Sequence, residues 1–89
     1  MNTKVENMRN NRGNTVPNQF IIQTNEGLYF QSYQSVIAFI PIAGNILLDQ
    51  NSWDYSTTTG KYRNQFLGET KKETEKKIAD GTYILTDLN

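Results

Sequence analysis

Residues 18–48 read NQFIIQTNEGLYFQSYQSVIAFIPIAGNILL, and this stretch decides the fold because runs of β-favouring residues alternate in it with turn residues. Turns are predicted at residues 25–27, where Gly27 can take a positive φ, near Gln34, and at residues 43–45. Such short connections join antiparallel neighbours, so the stretch predicts a four-stranded antiparallel meander. Its strands are expected at Asn18–Thr24, Leu28–Tyr33, Ser35–Pro41 and Ile46–Leu48.

After the meander, the spacing of apolar residues changes from that of a strand to that of a helix. Ser56 or Thr57 is placed to cap a helix that runs to Leu67, and Gly68 is placed to end it. We therefore predict a first helix directly downstream of the sheet.

A second helix is predicted by a capping box, in which Thr70 is the N-cap and Glu73 is the third helical residue. This helix should run to about Ala79, and Glu73 and Lys77 have the favourable spacing for an ion pair. Residues 82–86 predict a short C-terminal edge strand.

These elements predict an α+β fold, with a four-stranded antiparallel meander, two C-terminal helices packed on one face and a short C-terminal edge strand. Residues 1–16 are rich in asparagine and poor in apolar residues, which predicts a flexible N-terminal arm. Residues 17–89 are expected to form a single α+β domain. The core is expected to contain Phe20, Ile22, Phe30, Val36, Ala38, Ile40, Ile46, Leu48, Phe66, Ile78 and Leu85.

The composition excludes several classes of chemistry. The chain has no histidine and no cysteine, so the commonest general base, thiolate nucleophiles and the commonest transition-metal ligands are missing. The carboxylates are scattered and match no calcium-binding loop. We therefore expect a protein that is not an enzyme, has no cofactor and binds no metal. The longest apolar run, residues 36–43, is too short to cross a membrane, so no membrane partner is expected.

Positive charge is concentrated in the C-terminal half. The net charge is zero, yet no lysine or arginine lies between Gly13 and Gly60, and six of the nine cations lie within residues 61–77. A solvated helical surface explains this pattern, and so does a surface for nucleic acid or another anion. For the second interpretation, the candidate residues are Ser56, Thr58, Lys61, Arg63, Lys71 and Lys72.

Aromatic residues lie beside hydroxyl and amide groups in two segments, residues 29–33 and 53–55. Tyrosine and tryptophan either complete the core of a small domain or form binding hot spots on its surface. Because no cation lies on the predicted strands, protein binding is favoured over nucleic-acid binding. The candidate partner-binding residues are Tyr29, Gln31, Tyr33, Trp53, Asp54 and Tyr55.

Several segments together resemble a group of small uncharacterised proteins that is common in bacteriophages and prophages. The resemblance rests on residues 5–8, 16–22, 29–33, 53–59, 61–67 and 78–86, which include the motifs Q-S-Y, W-D-Y-S-x-T-T and N-Q-F-L. It implies a phage context and the cytoplasm of the bacterial host, but it supplies no activity.

From the resemblance we expect a small phage-encoded, non-enzymatic binding protein that modulates or inhibits a host bacterial protein, with anti-defence, anti-CRISPR-like action as one form. Two alternatives stay open: a nucleic-acid-binding accessory protein of phage replication, and an oligomer that sequesters a nucleotide at residues 56–61. A homodimer formed through a paired edge strand is also open.

Overall fold

A six-stranded sheet with two helices on one face makes up the computed structural model, which describes residues 3–89. The strands follow chain order across the sheet; all neighbours are antiparallel except the last two, which are parallel. The predicted α+β class is confirmed, and the sheet is larger than predicted. The elements are β1 (Lys4–Arg9), β2 (Thr15–Thr24), β3 (Gly27–Ser32), β4 (Ser35–Pro41), β5 (Ile46–Asp49), α1 (Thr57–Leu67), α2 (Lys71–Ala79) and β6 (Tyr83–Thr86).

The N-terminal segment differs most from its prediction. Part of the expected arm, residues 1–16, forms β1, which pairs with β2 from Lys4↔Gln23 to Arg9↔Thr15. Met8 on this strand is only 3% exposed and belongs to the core. Backbone hydrogen bonds to β2 and one buried side chain can hold an edge strand in place. The low apolar content of this segment therefore did not indicate that it forms a strand. Residues 1 and 2 of the expected arm lie outside the described residues.

The helices pack on the sheet face that carries Phe30. Cross-strand pairing puts Ile21, Phe30, Ala38 and Leu48 in one row on this face, because directly opposed residues share a face. The ring of Phe66 on α1 lies 5.6 Å from the ring of Phe30. The buried core consists of Met8, Phe30, Ile37, Ala38, Leu48, Tyr62 and Tyr83.

The predicted placement of Phe20 and Ile22 in this core is wrong. Ile21 is the partner of Phe30, so Phe20 and Ile22 point to the opposite face. In a strand, an error of one residue moves every side chain to the other face.

Two further residues that were predicted in the core, Val36 and Leu85, do not lie in it. A β-bulge in β4 lets Ile37 enter the core and leaves Val36 opposite Gln31, on the other face. On β6, Tyr83 is buried and Leu85 is exposed.

The face of the sheet directed away from the helices, here called the open face, includes Tyr29 and Gln31. The ring of Tyr29 stacks on that of Phe39 at a centroid distance of 4.2 Å. Neither helix packs against these rings, because α1 and α2 lie on the Phe30 face.

Replacing Met8 by alanine is expected to lower the free energy of unfolding by about 2–5 kcal/mol, because a buried side chain leaves a cavity. Replacing exposed Glu6 on the same strand is expected to change it by less than about 0.5 kcal/mol. Urea denaturation of the two variants measures both values. Equal stabilities would mean that β1 does not contribute to the core.

Candidate functional site

Two aromatic segments leave the sheet at the same end. β3 and β5 run in the same direction, so the turn at Tyr33 and the loop of residues 50–56 both follow the ends of these strands. Helix α1 begins at this end as well, since the hydroxyls of Ser32 and Thr59 are 2.9 Å apart. The candidate site is therefore built from this turn, this loop and the first turns of α1.

A chain of hydroxyl contacts connects the two segments. Thr59 is buried between Ser32 of β3 and Ser56, whose hydroxyl donates to that of Thr59 at 3.1 Å. The hydroxyl of Ser56 also accepts a hydrogen bond from the Thr59 amide, so Ser56 is the N-cap of α1, one of the two caps predicted. Tyr33 directly follows Ser32, and Tyr55 directly precedes Ser56, so the chain brings both tyrosines to one region.

Tyr33 and Tyr55 are the exposed aromatics of this region. Tyr33 is 47% and Tyr55 is 49% exposed. Tyr33 has φ 56°, in the left-handed region that favours glycine. Its backbone is held by hydrogen bonds from its own amide to Asn18 O at 2.7 Å and from the Gln31 side chain to its carbonyl at 2.8 Å. The bulky side chain is thus presented to solvent by a strained turn.

Arg63, predicted as an anion-binding residue, is buried and binds the loop to α1. Its guanidinium donates to the carbonyl of Trp53 at 2.8 Å and to the side chains of Asp54 at 2.9 Å and Asn64 at 3.0 Å. It also lies 5.1 Å from the centroid of the Trp53 ring, within the range of a cation–π contact. Burial removes Arg63 from the residues that can contact a polyanion at the surface.

Asp54 joins the loop to both helices. Its second carboxylate oxygen lies 2.7 Å from the ammonium of Lys71, the first residue of α2. Burial on its own raises the pKa of Asp54, but the hydrogen bonds and charges of Lys71 and Arg63 outweigh it and hold that pKa below its usual value. Asp54 and Trp53, predicted as partner-binding residues, are thus engaged in contacts within the protein.

A solvent-open cavity of about 480 Å³ lies beside this cluster. Four of the six predicted anion-binding residues line it, while Thr58 and Lys72 are exposed elsewhere. Its charged groups are three cations and one carboxylate, so a net positive charge remains after the ion pairs of Asp54. The lining residues are Asp54, Ser56, Thr57, Gly60, Lys61, Arg63, Asn64 and Lys71.

Glu69, between the helices, is a buried polar centre that the sequence reading missed. Its carboxylate accepts hydrogen bonds from Lys77 at 2.6 Å, Thr74 at 2.5 Å and the Tyr83 hydroxyl at 2.8 Å. Burial raises the pKa of Glu69, but these hydrogen bonds outweigh it, so the pKa lies below its usual value. The only sequence signal is an acidic residue in the three-residue connection between the helices.

The predicted ion pair of Glu73 and Lys77 is replaced. Lys77 binds Glu69 instead, and the Glu73 carboxylate accepts from the backbone amide of Thr70 at 3.0 Å. That contact belongs to the predicted capping box, which is confirmed. The Glu73 carboxylate thus makes the local backbone contact, while the ammonium of Lys77 is engaged by Glu69.

Residues 3–89 contain no group of three or more acidic side chains able to hold a metal ion. None of the helices formed by these residues is long and apolar enough to span a membrane.

Comparison with known proteins gave one match. The model of a family of unknown function, DUF8033, matches residues 3–81. No curated protein and no solved structure matches the chain. The match agrees with the resemblance to an uncharacterised group, and the phage context implied by that resemblance stays a prediction.

Replacing Arg63 by methionine is expected to lower the free energy of unfolding by about 3–5 kcal/mol, because it removes a buried charge from its hydrogen-bond partners. Lys71→Met is the matched control, since Lys71 binds the same carboxylate but is 52% exposed in its side chain. Its cost should be much smaller, because an ion pair to an exposed lysine is screened by solvent and contributes little to stability. Chemical denaturation compares the two variants, and similar losses would contradict the structural role of Arg63.

Glu69→Gln is expected to change the pH dependence of stability. A carboxyl with a pKa lowered in the folded state contributes fully above its unfolded pKa and loses that contribution as the pH falls through its folded pKa. The stability difference between wild type and Glu69→Gln should therefore be largest near neutral pH and shrink below about pH 4.5.

Denaturation curves recorded from neutral to acidic pH measure this difference, with Glu75→Gln as the control on exposed helix surface. The control should follow the wild-type curve closely. A constant difference for Glu69→Gln at every pH would contradict the assigned role of its carboxylate.

Proposed function

This chain belongs to DUF8033, a family of unknown function whose model covers most of it, and we propose that it is a non-enzymatic protein that binds a bacterial host protein and modulates or inhibits it. In this proposal the protein is encoded by a phage and acts in the host cytoplasm, with anti-defence action as one form. The phage context rests on the resemblance of its sequence motifs.

The observation that carries the proposal is the joint presentation of Tyr33 and Tyr55. The buried contacts among Ser32, Thr59 and Ser56 fix the backbone beside both tyrosines. Large aromatic side chains held on rigid elements lose little conformational entropy on binding and are enriched in hot spots. A residue kept in an unfavourable backbone conformation supports a functional role, because glycine would fit the turn at lower cost.

The charges nearby favour an acidic patch on the partner. Lys61 is exposed on the first turns of α1, and Lys71 and Lys72 are exposed at the start of α2. Asp54 neutralises only part of this charge through its ion pairs. Complementary charges around an aromatic centre speed association and select partners. The proposed partner therefore has an acidic rim around an apolar pocket.

A second candidate function uses the cavity beside Asp54. Lys61, Lys71 and the first turn of α1 would contact the phosphate groups of a nucleic acid or a nucleotide. The net positive charge of the cavity favours this function, and the burial of Arg63 weakens it. The two candidates differ in salt dependence, because phosphate binding weakens steeply as salt rises.

Tyr33→Gly is expected to separate stability from binding. Removing the strained φ should raise the free energy of unfolding by about 1 kcal/mol. The loss of a hot-spot aromatic should weaken partner binding by about tenfold or more. Denaturation measures the first effect. Binding is measured in two steps. The chain is immobilised, and nuclease-treated bacterial lysate is passed over it to find one defined protein that is retained. That protein is then purified and titrated against the wild type and the variant.

Tyr55→Ala should weaken the same binding, and Ile42→Ala is the control. Ile42 is 77% exposed and follows β4 at the opposite end of the sheet. Equal retention by all variants would contradict the site at Tyr33 and Tyr55. Retention that disappears with nuclease treatment would favour the nucleic-acid function instead.

A further inference from the structure

The open face carries one apolar side chain from every strand of the sheet, in a single row. The pairs Val5↔Ile22, Ile22↔Tyr29, Tyr29↔Phe39, Phe39↔Leu47 and Leu47↔Ile84 are each direct cross-strand partners. Six strands about 4.8 Å apart make this row about 24 Å wide. Neither helix covers it, because both pack on the Phe30 face.

The row has the same chemical order when read from either edge. Its centre is the stacked pair Tyr29 and Phe39, which belong to the third and fourth of the six strands. An aliphatic residue flanks this pair on each side, and a second one, Val5 or Ile84, ends the row at each edge. A twofold axis through the centre would thus place aromatic on aromatic and aliphatic on aliphatic.

The open face around this row has little exposed charge: Asp49, which follows Leu47 by two residues on β5 and so shares its face, is only 2% exposed. The adjacent row contains Asn7, Phe20, Gln31 and Val36, which are direct neighbours across β1 to β4. A surface with so little exposed charge can meet a copy of itself without strong repulsion between like charges. A twofold axis parallel to the strands reverses the row on the second copy, so the near-symmetric order of the row suits such a contact.

The broad side of the molecule is large enough for such a contact. The molecule measures 34 × 32 × 20 Å, and its thin direction corresponds to one sheet and one layer of helices. The broad side is on the order of 1,000 Å², compared with the roughly 800 Å² per partner that a stable interface buries. A pair of open faces would form a sandwich with a core about 10 Å thick.

We propose that the open face is the interface of a homodimer, in which the sheets of two copies pack face to face around a twofold axis near Tyr29 and Phe39. The contact differs from pairing through an edge strand, because it buries the row and leaves β1 and β6 as free edges. It also differs from the proposed partner site, since Tyr33 and Tyr55 lie at the end of the sheet. Each dimer would present that site twice.

The test compares two adjacent residues of β6 that point to opposite faces. Ile84 ends the row on the open face and is 44% exposed, while Leu85 points to the helix side and is 39% exposed. Both tolerate solvent in the single chain, so lysine at either position should leave the fold intact. Circular dichroism and thermal unfolding verify this for Ile84→Lys and Leu85→Lys.

Sedimentation equilibrium over a range of concentrations gives the mass and the dimer dissociation constant of each protein. The wild type and Leu85→Lys should reach twice the chain mass of 10.2 kDa. Ile84→Lys should raise the dissociation constant by about tenfold or more, because its ammonium would be buried against an apolar surface.

Two outcomes would overturn the proposal. One is a monomer mass for the wild type at about 1 mM, where even weak association is populated. The other is the same dissociation constant for both lysine variants, which would place the contact at an edge or on the helix side. The measurement uses the chain alone, so failure of the dimer leaves the partner site at Tyr33 and Tyr55 untouched.

Discussion

The buried guanidinium of Arg63 holds the helical layer of this protein in position. Helix α1 offers few apolar side chains to the sheet, and its buried residues are Thr59, Gly60, Tyr62 and Arg63. Arg63 compensates by binding the backbone and side chains of the loop that precedes the helix. Through Asp54 the same contact extends to α2. Directed polar contacts therefore hold the helical layer in place together with apolar burial. Because these polar contacts are directional, they also fix the orientation of the layer.

Glu69 is a second charged centre in the helical layer. It binds α2 through Lys77 and the sheet through Tyr83. Both charged centres bind α2, and the ring of Phe66 on α1 packs on Phe30 of the sheet. A small domain buries a limited fraction of its surface, so such centres supply specificity that its apolar core alone would lack.

Local signals made much of this fold predictable from sequence. The N-cap at Ser56, the end of α1 at Gly68 and the capping box at Thr70 depend only on neighbouring residues. Features that depend on distant partners were missed. Met8 lies in a polar segment, and the run of three apolar residues at 20–22 contains no alternation to tell which face is buried. Arginine is usually exposed, so nothing local indicated the burial of Arg63.

The agreement between strand order and chain order has a consequence for synthesis. Each strand from β2 to β5 pairs with the one made just before it, so most of the sheet can form from contacts that are local in sequence. Only β6 joins the sheet later, because it follows both helices in the chain and pairs in parallel with β5. Chain growth on the ribosome can thus build the sheet from its N-terminal edge, and the last strand completes the sheet after both helices have been made.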